Sequence, residues 1–313
     1  MALLLDFSDL PSRLNTIMEH TWSSAERAIL RTCLYADIFS GTLTQQDLQH
    51  YLLSATEHSC SDLTPALSSL FDNPRSSSLL SRVYIGDRNR HFPVQKWREV
   101  VFMTRVLAPI PWIQSIWITG SVAVGNVRES DDIDIMFLVA PDRLWITRLL
   151  VVALGIVLGK YRRAHHSEKG VQNRWCCNIW LEEDAIALPE SRHDVYIARE
   201  VIQAVPVYTR WGEDASIWLQ QNSWVKQWSK QGFSWALQRA KASVSYPAWS
   251  FLSMIPSTLP SALNTVAFWL QMRFIEQKQT REEVTKRVAF FHPSTTQYDV
   301  VMKYEKMCRE YNV

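Results

Sequence analysis

Two carboxylates on one short apolar segment are the residues of this chain whose spacing most directly suggests chemistry. Asp132 and Asp134 are separated by one residue and are followed by an apolar run that ends at Val139. Alternate residues of a β-strand point to the same face, so both carboxylates would project together. Two acids held side by side in a partly buried place are costly without a cation, and hard divalent ions bind oxygen ligands readily. The pattern predicts a metal site with Asp132 and Asp134 as ligands and Mg²⁺ as the ion, or Mn²⁺ in its place.

A Gly-Ser turn precedes the acidic segment. Ile116 to Thr119 is typical of a buried strand, and Gly120 and Ser121 then form a tight turn at the start of a helix. Without a side chain, glycine lets backbone N–H groups approach phosphate oxygens, and a helix N-terminus favours negative charge. This turn is predicted to hold the phosphates of a nucleotide, opposite the strand that carries the metal.

The order Gly-Ser, a spacer of ten residues and Asp-x-Asp between hydrophobic strands resembles the polymerase-β-like nucleotidyltransferase superfamily. The resemblance is carried by Gly120, Ser121, Asp132 and Asp134. It implies transfer of a nucleoside monophosphate from a nucleoside triphosphate to an acceptor, usually a hydroxyl, with release of pyrophosphate. It also implies two metal ions, which activate the attacking oxygen and steady the triphosphate. Asp132 and Asp134 would then be catalytic, and Gly120, Ser121 and Ser130 would contact the nucleotide.

A third carboxylate, which active members of the superfamily take from a later strand, is not evident in the sequence. The candidate strand runs from Trp175 to Leu181, and its polar central residue is Asn178. An amide can bind a metal weakly but cannot act as a base. We expect Asn178 to lie in the site as the third catalytic position. With only two acids, the domain could still transfer nucleotides slowly, or it could only bind them.

Cations for the phosphates are expected from the segment that follows the Asp-x-Asp strand. Leu149 to Gly159 contains no charged residue, and eleven residues are too few to span a bilayer, so a buried helix that covers the sheet is predicted. Arg143 and Arg148 precede this segment, and Arg162 and Arg163 follow the Gly that ends it. Arg143 and Arg148 are the two that we assign to nucleotide binding.

The sequence divides into three predicted domains around this central unit. Residues 1–95 form a small module, residues 96–189 form the nucleotidyltransferase core, and residues 190–313 form a helical domain. The predicted fold class is α+β, with a small mixed sheet in the core between a winged-helix-like module and a C-terminal helical region. Pro109 and Pro111 end a helix from Lys96 to Leu107 just before the first core strand, because proline favours extended chain.

The N-terminal module has the element order of a winged helix. Capping residues predict three helices that begin near Ser23, Thr44 and Asp62. Two short strands, Leu79 to Ile85 and His91 to Val94, would form the wing. In DNA-binding versions the third helix enters the major groove with basic or amide side chains, but its exposed residues here are Ser, Thr and Asp. We therefore expect a structural or protein-contact role, with DNA or RNA contact as the alternative.

Tryptophan is concentrated in the C-terminal region. Trp224, Trp228 and Trp235 recur at intervals of four and seven, which would place them on one face of a helix from Ser223 to Ala242. The pattern predicts a hydrophobic interface with the core, with stacking on a base or docking of a partner protein as alternatives. Further helices are predicted over four ranges: Val195 to Ala204, Ser261 to Gln277, Thr280 to Ala289 and Thr296 to Tyr311.

The composition is that of an ordinary globular chain. Its 313 residues are 47% hydrophobic and 20% charged, with a formal charge of +2, so neither nucleic acid nor an anionic membrane is the default partner. The five cysteines show no Cys-x-x-Cys spacing, which argues against a zinc site and a disulfide framework. No basic leader precedes an apolar segment, so a cytoplasmic protein without membrane attachment is expected.

Three functions are consistent with these patterns, and the first is favoured. An enzyme would use a nucleoside triphosphate to modify an unidentified hydroxyl of a small molecule or a protein. A catalytically degenerate domain would only sense the nucleotide, which the amide at Asn178 favours. A nucleic-acid-directed protein would hold DNA or RNA with the N-terminal module, but the lack of clustered basic residues argues against it.

Overall fold

The computed structural model describes residues 21–87, 94–162, 171–210, 214–241, 261–275, 283–291 and 294–313. Within these ranges the chain is a mixed α+β protein built on a six-stranded sheet. The strands are β1 (Leu43–Thr44), β2 (Tyr84–Gly86), β3 (Ile113–Thr119), β4 (Ile133–Val139), β5 (Trp175–Glu182), β6 (Val205–Thr209), β7 (Glu283–Val284) and β8 (Val288–Phe290). The α-helices are α1 (Ser24–Ile38), α2 (Gln45–His50), α3 (Cys60–Asp72), α4 (Ser77–Val83), α5 (Val94–Leu107), α6 (Gly120–Ala123), α7 (Leu144–Val157), α8 (Val195–Gln203), α9 (Ser216–Gln221), α10 (Lys230–Lys241), α11 (Ser261–Ile275) and α12 (Ser294–Tyr311).

The central sheet has the strand order β6, β3, β4, β5, β8, β7. β4 and β5 run parallel, and the other neighbouring strands are antiparallel. α7 lies in the crossover that a parallel pair requires. The short strands β1 and β2 pair with each other in the N-terminal module. The α+β class predicted from the sequence is confirmed, whereas a nucleotidyltransferase type of core stays a prediction.

The alternation of residues in β4 gives the two faces of the sheet different partners. Ile133 and Phe137 are fully buried in a core that α5, α7 and α11 complete. Met136 and Leu138 point to the opposite face, into a second core with α8, α9 and α10. Because successive strand residues alternate, Asp134 lies on this second face.

The helices of the N-terminal module begin at capping residues. Ser23 and Glu26 form a reciprocal capping box at α1, and Thr44 and Asp47 form another at α2. Each box satisfies backbone N–H groups that a helix start leaves without a partner. α3 starts with the same arrangement at Ser59. The three helices predicted for this region are confirmed.

The predicted wing is corrected over most of its first strand. α4 occupies residues 77–83, and only Tyr84 and Ile85 of the predicted strand are extended, as part of β2. Leu79, Leu80 and Val83 are buried at helical spacing, and so short an apolar run does not distinguish a helix from a strand. β2 pairs in parallel with β1. Of the second wing strand, residues 91–93 lie outside the described residues, and Val94 begins α5.

The residues after 190 complete the sheet as well as forming helices. β6 pairs with β3, and β8 pairs with β5. The helix predicted from Thr280 to Ala289 is wrong within the described residues, because β7 and β8 form an antiparallel pair there. Tyr304 and Cys308 of α12 pack into the core of the N-terminal module. Residues 190–313 therefore contribute to every one of the three hydrophobic cores in the described structure.

The tryptophan-rich segment packs on two other parts of the chain. The helix predicted from Ser223 to Ala242 is divided into a 3₁₀ turn and α10, so its tryptophans do not share one continuous face. Trp235 of α10 stacks on His50 of α2, with ring centroids 4.2 Å apart. Trp218 of α9 meets Trp117 of β3 edge-on at 4.9 Å. The predicted hydrophobic interface is confirmed, because Trp224, Trp228 and Trp235 are partly buried against the core that Met136 and Leu138 of β4 enter.

One face of α7 covers the sheet, and the other points outward. Leu144, Trp145 and Val151 are buried in the sheet core. Ile156 and Val157 are 47% and 81% exposed, so the prediction of a buried helix is right for one face alone. Among the described residues, no helix combines the length with the apolarity that crossing a bilayer requires.

Candidate metal and nucleotide site

Strand register brings the Gly-Ser turn beside the Asp-x-Asp segment. β3 and β4 are antiparallel with Thr119 opposite Asp134, so the turn after β3 lies next to the start of β4. Gly120 has a φ of +63°, in the left-handed region that glycine tolerates. A Cβ atom at this position would lie 2.3 Å from Oδ2 of Asp134. Both the backbone conformation and the closeness of the carboxylate therefore require glycine here.

Three side chains with metal-ligating atoms converge where β4 and β5 begin. Asp132, Asp134 and Cys176 each offer one atom, and these atoms lie within 4.8 Å of one another. All three side chains are partly buried. Asp134 and Cys176 are partners across the parallel strands, so the register of the sheet holds them together. The structure thus brings the two predicted ligands into a group that could hold a metal ion.

Both carboxylates have donors within the chain. Arg162 forms an ion pair with Asp132 and also lies 3.4 Å from Sγ of Cys176. Nδ2 of Asn178 donates to Oδ1 of Asp134, and Sγ of Cys176 donates to Oδ1 of Asn178 at 2.6 Å. Asn178 is therefore beside Asp134, but it presents an amide N–H to the acid and turns its oxygen to the thiol. Arg162 and Asn178 donate hydrogen bonds to the two carboxylates, and so supply positive charge that a bound metal ion would otherwise provide.

Cys176 is the weakest metal ligand of the three. Burial raises the pKa of its thiol well above the ordinary value, and the carboxylates of Asp134 and Asp132 raise it further. The thiol is therefore protonated at neutral pH, whereas strong sulfur ligation needs a thiolate. The donor set fits a hard cation held by the two carboxylate groups, since such ions prefer oxygen.

Glu200 of α8 is a third acid at this site, and sequence reasoning missed it. Its carboxylate accepts a hydrogen bond from the backbone N–H of Gly120. Burial, with a contribution from the nearby Asp134 carboxylate, raises the pKa of Glu200 to about 7. A helix over these residues was predicted, but nothing in the local sequence indicates which end of the sheet that helix crosses. Tertiary packing alone brings Glu200 to the Gly-Ser turn.

The turn that leads into β4 is held by side chains from two other elements. Oγ of Ser121 donates to Oδ2 of Asp131 at 3.1 Å. Nζ of the buried Lys96 on α5 donates to the carbonyl oxygen of Glu129 at 2.9 Å and to that of Asp131. Burial lowers the pKa of Lys96, although the nearby acids oppose this effect. Ser121 thus orients the turn through Asp131, and Ser130 is exposed within the same turn.

Arg143 lies at the other end of the sheet from the acids. It follows the C-terminal end of β4, and its backbone N–H donates to Oε1 of Glu182 at the end of β5, at 3.1 Å. Asp132 and Asp134 are at the beginning of β4, so about 20 Å of strand separates them from Arg143. This corrects the expectation that Arg143 contacts a nucleotide held at the acids, because the helix after β4 necessarily starts at the far end of that strand.

Arg148 lies on the opposite face of the sheet from Asp134. Its guanidinium is 4.4 Å from the ring centroid of Phe291, and NH1 donates to Oε1 of Gln271 on α11 at 2.5 Å. Arg148 therefore joins α7 to α11, which corrects its assignment to nucleotide binding. Arg162, which the sequence analysis did not assign to the nucleotide, is instead paired with Asp132.

A cavity of about 480 Å³ opens beside the Gly-Ser turn, between the core and the N-terminal module. This volume lies within the usual range of small-molecule sites. The charged residues that line it are Asp47, Asp131, Asp134, Glu200, Arg128 and Arg199. Because the carboxylates outnumber the guanidinium groups, an anionic ligand would need accompanying cations to be held here.

Comparison with protein-family models, with curated proteins and with solved structures gave no match to this chain. Any function must therefore be inferred from the residues themselves. Three features of the site bear on the function: a pair of acids that can hold a cation, a glycine turn against one of them, and a cavity lined in part by Gly120 and Asp134.

Proposed function

We propose that this protein is a metal-dependent nucleotidyltransferase, which moves a nucleoside monophosphate from a nucleoside triphosphate to a hydroxyl acceptor. The observation that carries the proposal is the position of Gly120 against Asp134. There a glycine, which has no side chain, lies beside a pair of carboxylates that could hold a cation. A triphosphate needs both, because its oxygens bind backbone N–H groups and its charge requires a divalent ion. The acceptor is proposed to be a small molecule or a protein side chain.

Asp132 and Asp134 would hold Mg²⁺, with Mn²⁺ as a substitute. A divalent ion bound there supplies charge neutralisation and polarises the reacting phosphate. Gly120 and Ser121 would bind the phosphates from the wall of the cavity. The Gly120 N–H donates to Glu200, so a phosphate oxygen would replace this carboxylate as the acceptor.

Glu200 is assigned the role that the amide of Asn178 cannot perform. A general base must be able to accept the proton of the acceptor hydroxyl, and an amide does not. Glu200 lines the same cavity as Gly120 and Asp134. Its carboxylate would become available for this proton once the phosphates take its hydrogen bond from Gly120.

A nucleotide sensor is the second candidate function, and two contacts favour it. Arg162 neutralises Asp132, and Asn178 donates to Asp134, so each carboxylate has a donor without a metal ion. Such a site can bind a nucleotide reversibly without turning it over. A nucleic-acid-directed function is the least favoured, because α3 contains no lysine or arginine with which to bind a phosphate backbone.

The test is to incubate the full chain with each labelled nucleoside triphosphate and Mg²⁺ or Mn²⁺. Release of pyrophosphate, and transfer of label to the protein or to an added hydroxyl compound, are the measurements. Asp132→Ala and Asp134→Ala are expected to lower the rate by about 100-fold or more, as loss of a charge-stabilising group does. Asp184→Asn is the matched control, because Asp184 is an exposed acid paired with Arg287 at the far end of β5.

The outcomes separate the candidate functions. Mn²⁺-dependent binding of a triphosphate that is lost in Asp134→Ala, without turnover, would support the sensor. Pyrophosphate release that persists in both alanine variants would place the chemistry elsewhere. Failure to bind any triphosphate in the presence of either ion would overturn both functions, provided that thermal unfolding shows the protein to be folded.

A further inference from the structure

α11 is apolar on both of its faces, although the described chain covers only one of them. Ala267, Phe268 and Met272 are buried in the sheet core. The large apolar side chains on the outer face recur at helical spacing and are exposed: Leu263 (44%), Val266 (54%), Trp269 (59%), Leu270 (56%) and Phe274 (72%). A helix that is apolar all round is normally buried all round. The outer face of α11 therefore has the composition of a contact surface.

α7 extends this surface. Asn264 of α11 accepts hydrogen bonds from the backbone N–H groups of Trp145 and Ile146 at the start of α7, at 2.8 and 3.0 Å. Both helices pack on the same face of the sheet, so their outer faces adjoin. The exposed apolar residues that α7 and its C-terminal end add are Leu149 (41%), Ile156 (47%), Val157 (81%) and Leu158 (41%). These nine residues form what we call the α7–α11 face.

The α7–α11 face is also poor in charge. Arg148 and Arg273 are the charged residues within the two helices. The guanidinium of Arg148 packs on the rings of Trp145 and Phe291, away from this face. At about 100 Å² for each of the nine side chains, the face offers roughly 900 Å² of apolar surface, more than the largest patch on an ordinary monomer and similar to one side of a stable protein interface.

We propose that the α7–α11 face binds the same face of a second copy of this chain, so that the protein is a homodimer. The exposed Arg273 lies at helical spacing from Trp269 and Leu270, so it adds one cation to this face. A two-fold interface places one patch against itself, and an apolar patch with one such cation in each copy permits this with little repulsion between like charges. Lipid is a poorer match, because the two cations that directly follow α7 in the described chain, Lys160 and Arg162, are paired with Glu99 and Asp132, and α11 adds only Arg273 for anionic headgroups. This proposal is independent of the proposed function.

The experiment measures the mass of the full chain in solution by light scattering and sedimentation over a range of concentrations. The wild type is expected to have twice the mass of the monomer. Val157→Glu and Phe274→Glu should raise the dissociation constant of the dimer by at least about tenfold, since each buries a charge in the contact. Tyr298→Glu is the matched control, because Tyr298 is 64% exposed on α12 and outside the face.

Hydrogen exchange of the wild type provides a second measurement that does not depend on the variants. Amides of α7 and α11 should become more protected as the concentration rises, and those of α12 should not. A wild type that is monomeric at every concentration would overturn the proposal, as would a dimer that both glutamate variants leave intact. A monomer that binds phosphatidylcholine vesicles, with or without phosphatidylserine, through the same face would overturn it in favour of a lipid surface.

Discussion

The two faces of the central sheet use the same strands for different purposes. On the face toward α7 and α11, Ile133, Phe137 and Trp180 form a closed apolar core. On the face toward α8, the start of β4 carries Asp134 beside a cavity, and only the later residues of the strand are packed. One face therefore supplies the stability that lets the other hold acids close together at a cost in free energy.

The largest expected effect is a loss of stability after a substitution in the apolar core between the sheet and α7 and α11. Phe137→Ala should lower the free energy of unfolding by about 3–5 kcal/mol, because Phe137 is fully buried and stacks on Trp180 with centroids 4.2 Å apart. Asp134→Ala should leave stability within about 1 kcal/mol and abolish Mn²⁺ binding. Urea unfolding and Mn²⁺ titration measure the two effects. Equal stability losses in the two variants would contradict the division between the faces.

The second prediction concerns the ionisation of Glu200. A carboxyl whose pKa rises on folding from 4.5 to about 7 binds more protons when folded, so stability should fall as pH rises between these values. Glu200→Gln should remove this fall and stabilise the protein by about 1–3 kcal/mol at pH 8. Unfolding by urea at several pH values is the measurement. An unchanged pH dependence in the variant would show that another group causes it.

Two glycines with the same backbone conformation provide the third prediction. Gly120 and Gly159 have φ of +63° and +66°, but a Cβ at Gly159 would meet nothing within 4 Å. Gly159→Ala should therefore cost about 1–2 kcal/mol through backbone strain alone. Gly120→Ala should cost about 1–2 kcal/mol more and weaken Mn²⁺ binding, because its methyl group displaces Asp134. Thermal unfolding and Mn²⁺ titration of both variants check this, and equal costs would refute the contact with Asp134.

The smallest expected effect is a gain in metal affinity. Arg162→Gln removes the cation paired with Asp132, which competes with a metal ion for the same carboxylate. Because Arg162 is partly exposed, Mn²⁺ affinity should rise by only about three- to tenfold. Electron paramagnetic resonance of free Mn²⁺ measures it, with Arg174→Gln as the control, since Arg174 donates to the carbonyl oxygens of Gly159 and Tyr161. Weaker binding in Arg162→Gln would mean that the arginine supports the ion instead.

Features that depend on neighbours in sequence were predicted well. Apolar runs identified β3, β4 and β5 within a few residues, and capping residues located the first three helices. The meeting of Gly120 with Asp134 followed from the same runs, because a strand, a turn and an adjacent antiparallel strand can be read locally. The position of Asn178 beside Asp134 also depends on two neighbouring strands, because the register of the parallel strands β4 and β5 sets it.

Features that depend on distant packing were not predicted. Arg143 and Arg148 were assigned to the acids by proximity in sequence, although β4 and the crossover helix carry them to the far end and the opposite face. Glu200 was missed because only the packing of α8 in the folded chain brings it next to Gly120 and Asp134. The helix predicted from Thr280 to Ala289 failed because pairing with β5 outweighs a local helical pattern.

The packing of α12 into the N-terminal module has a consequence for biosynthesis. Trp22, near the start of the described chain, donates its indole N–H to the carbonyl oxygen of Tyr311 at 2.7 Å, and α12 fills the core beneath α1. On the ribosome, α1 to α4 emerge long before the helix that closes their core has been translated. The module should therefore stay incompletely packed, and open to chaperones and proteases, until residues 294–313 leave the exit tunnel.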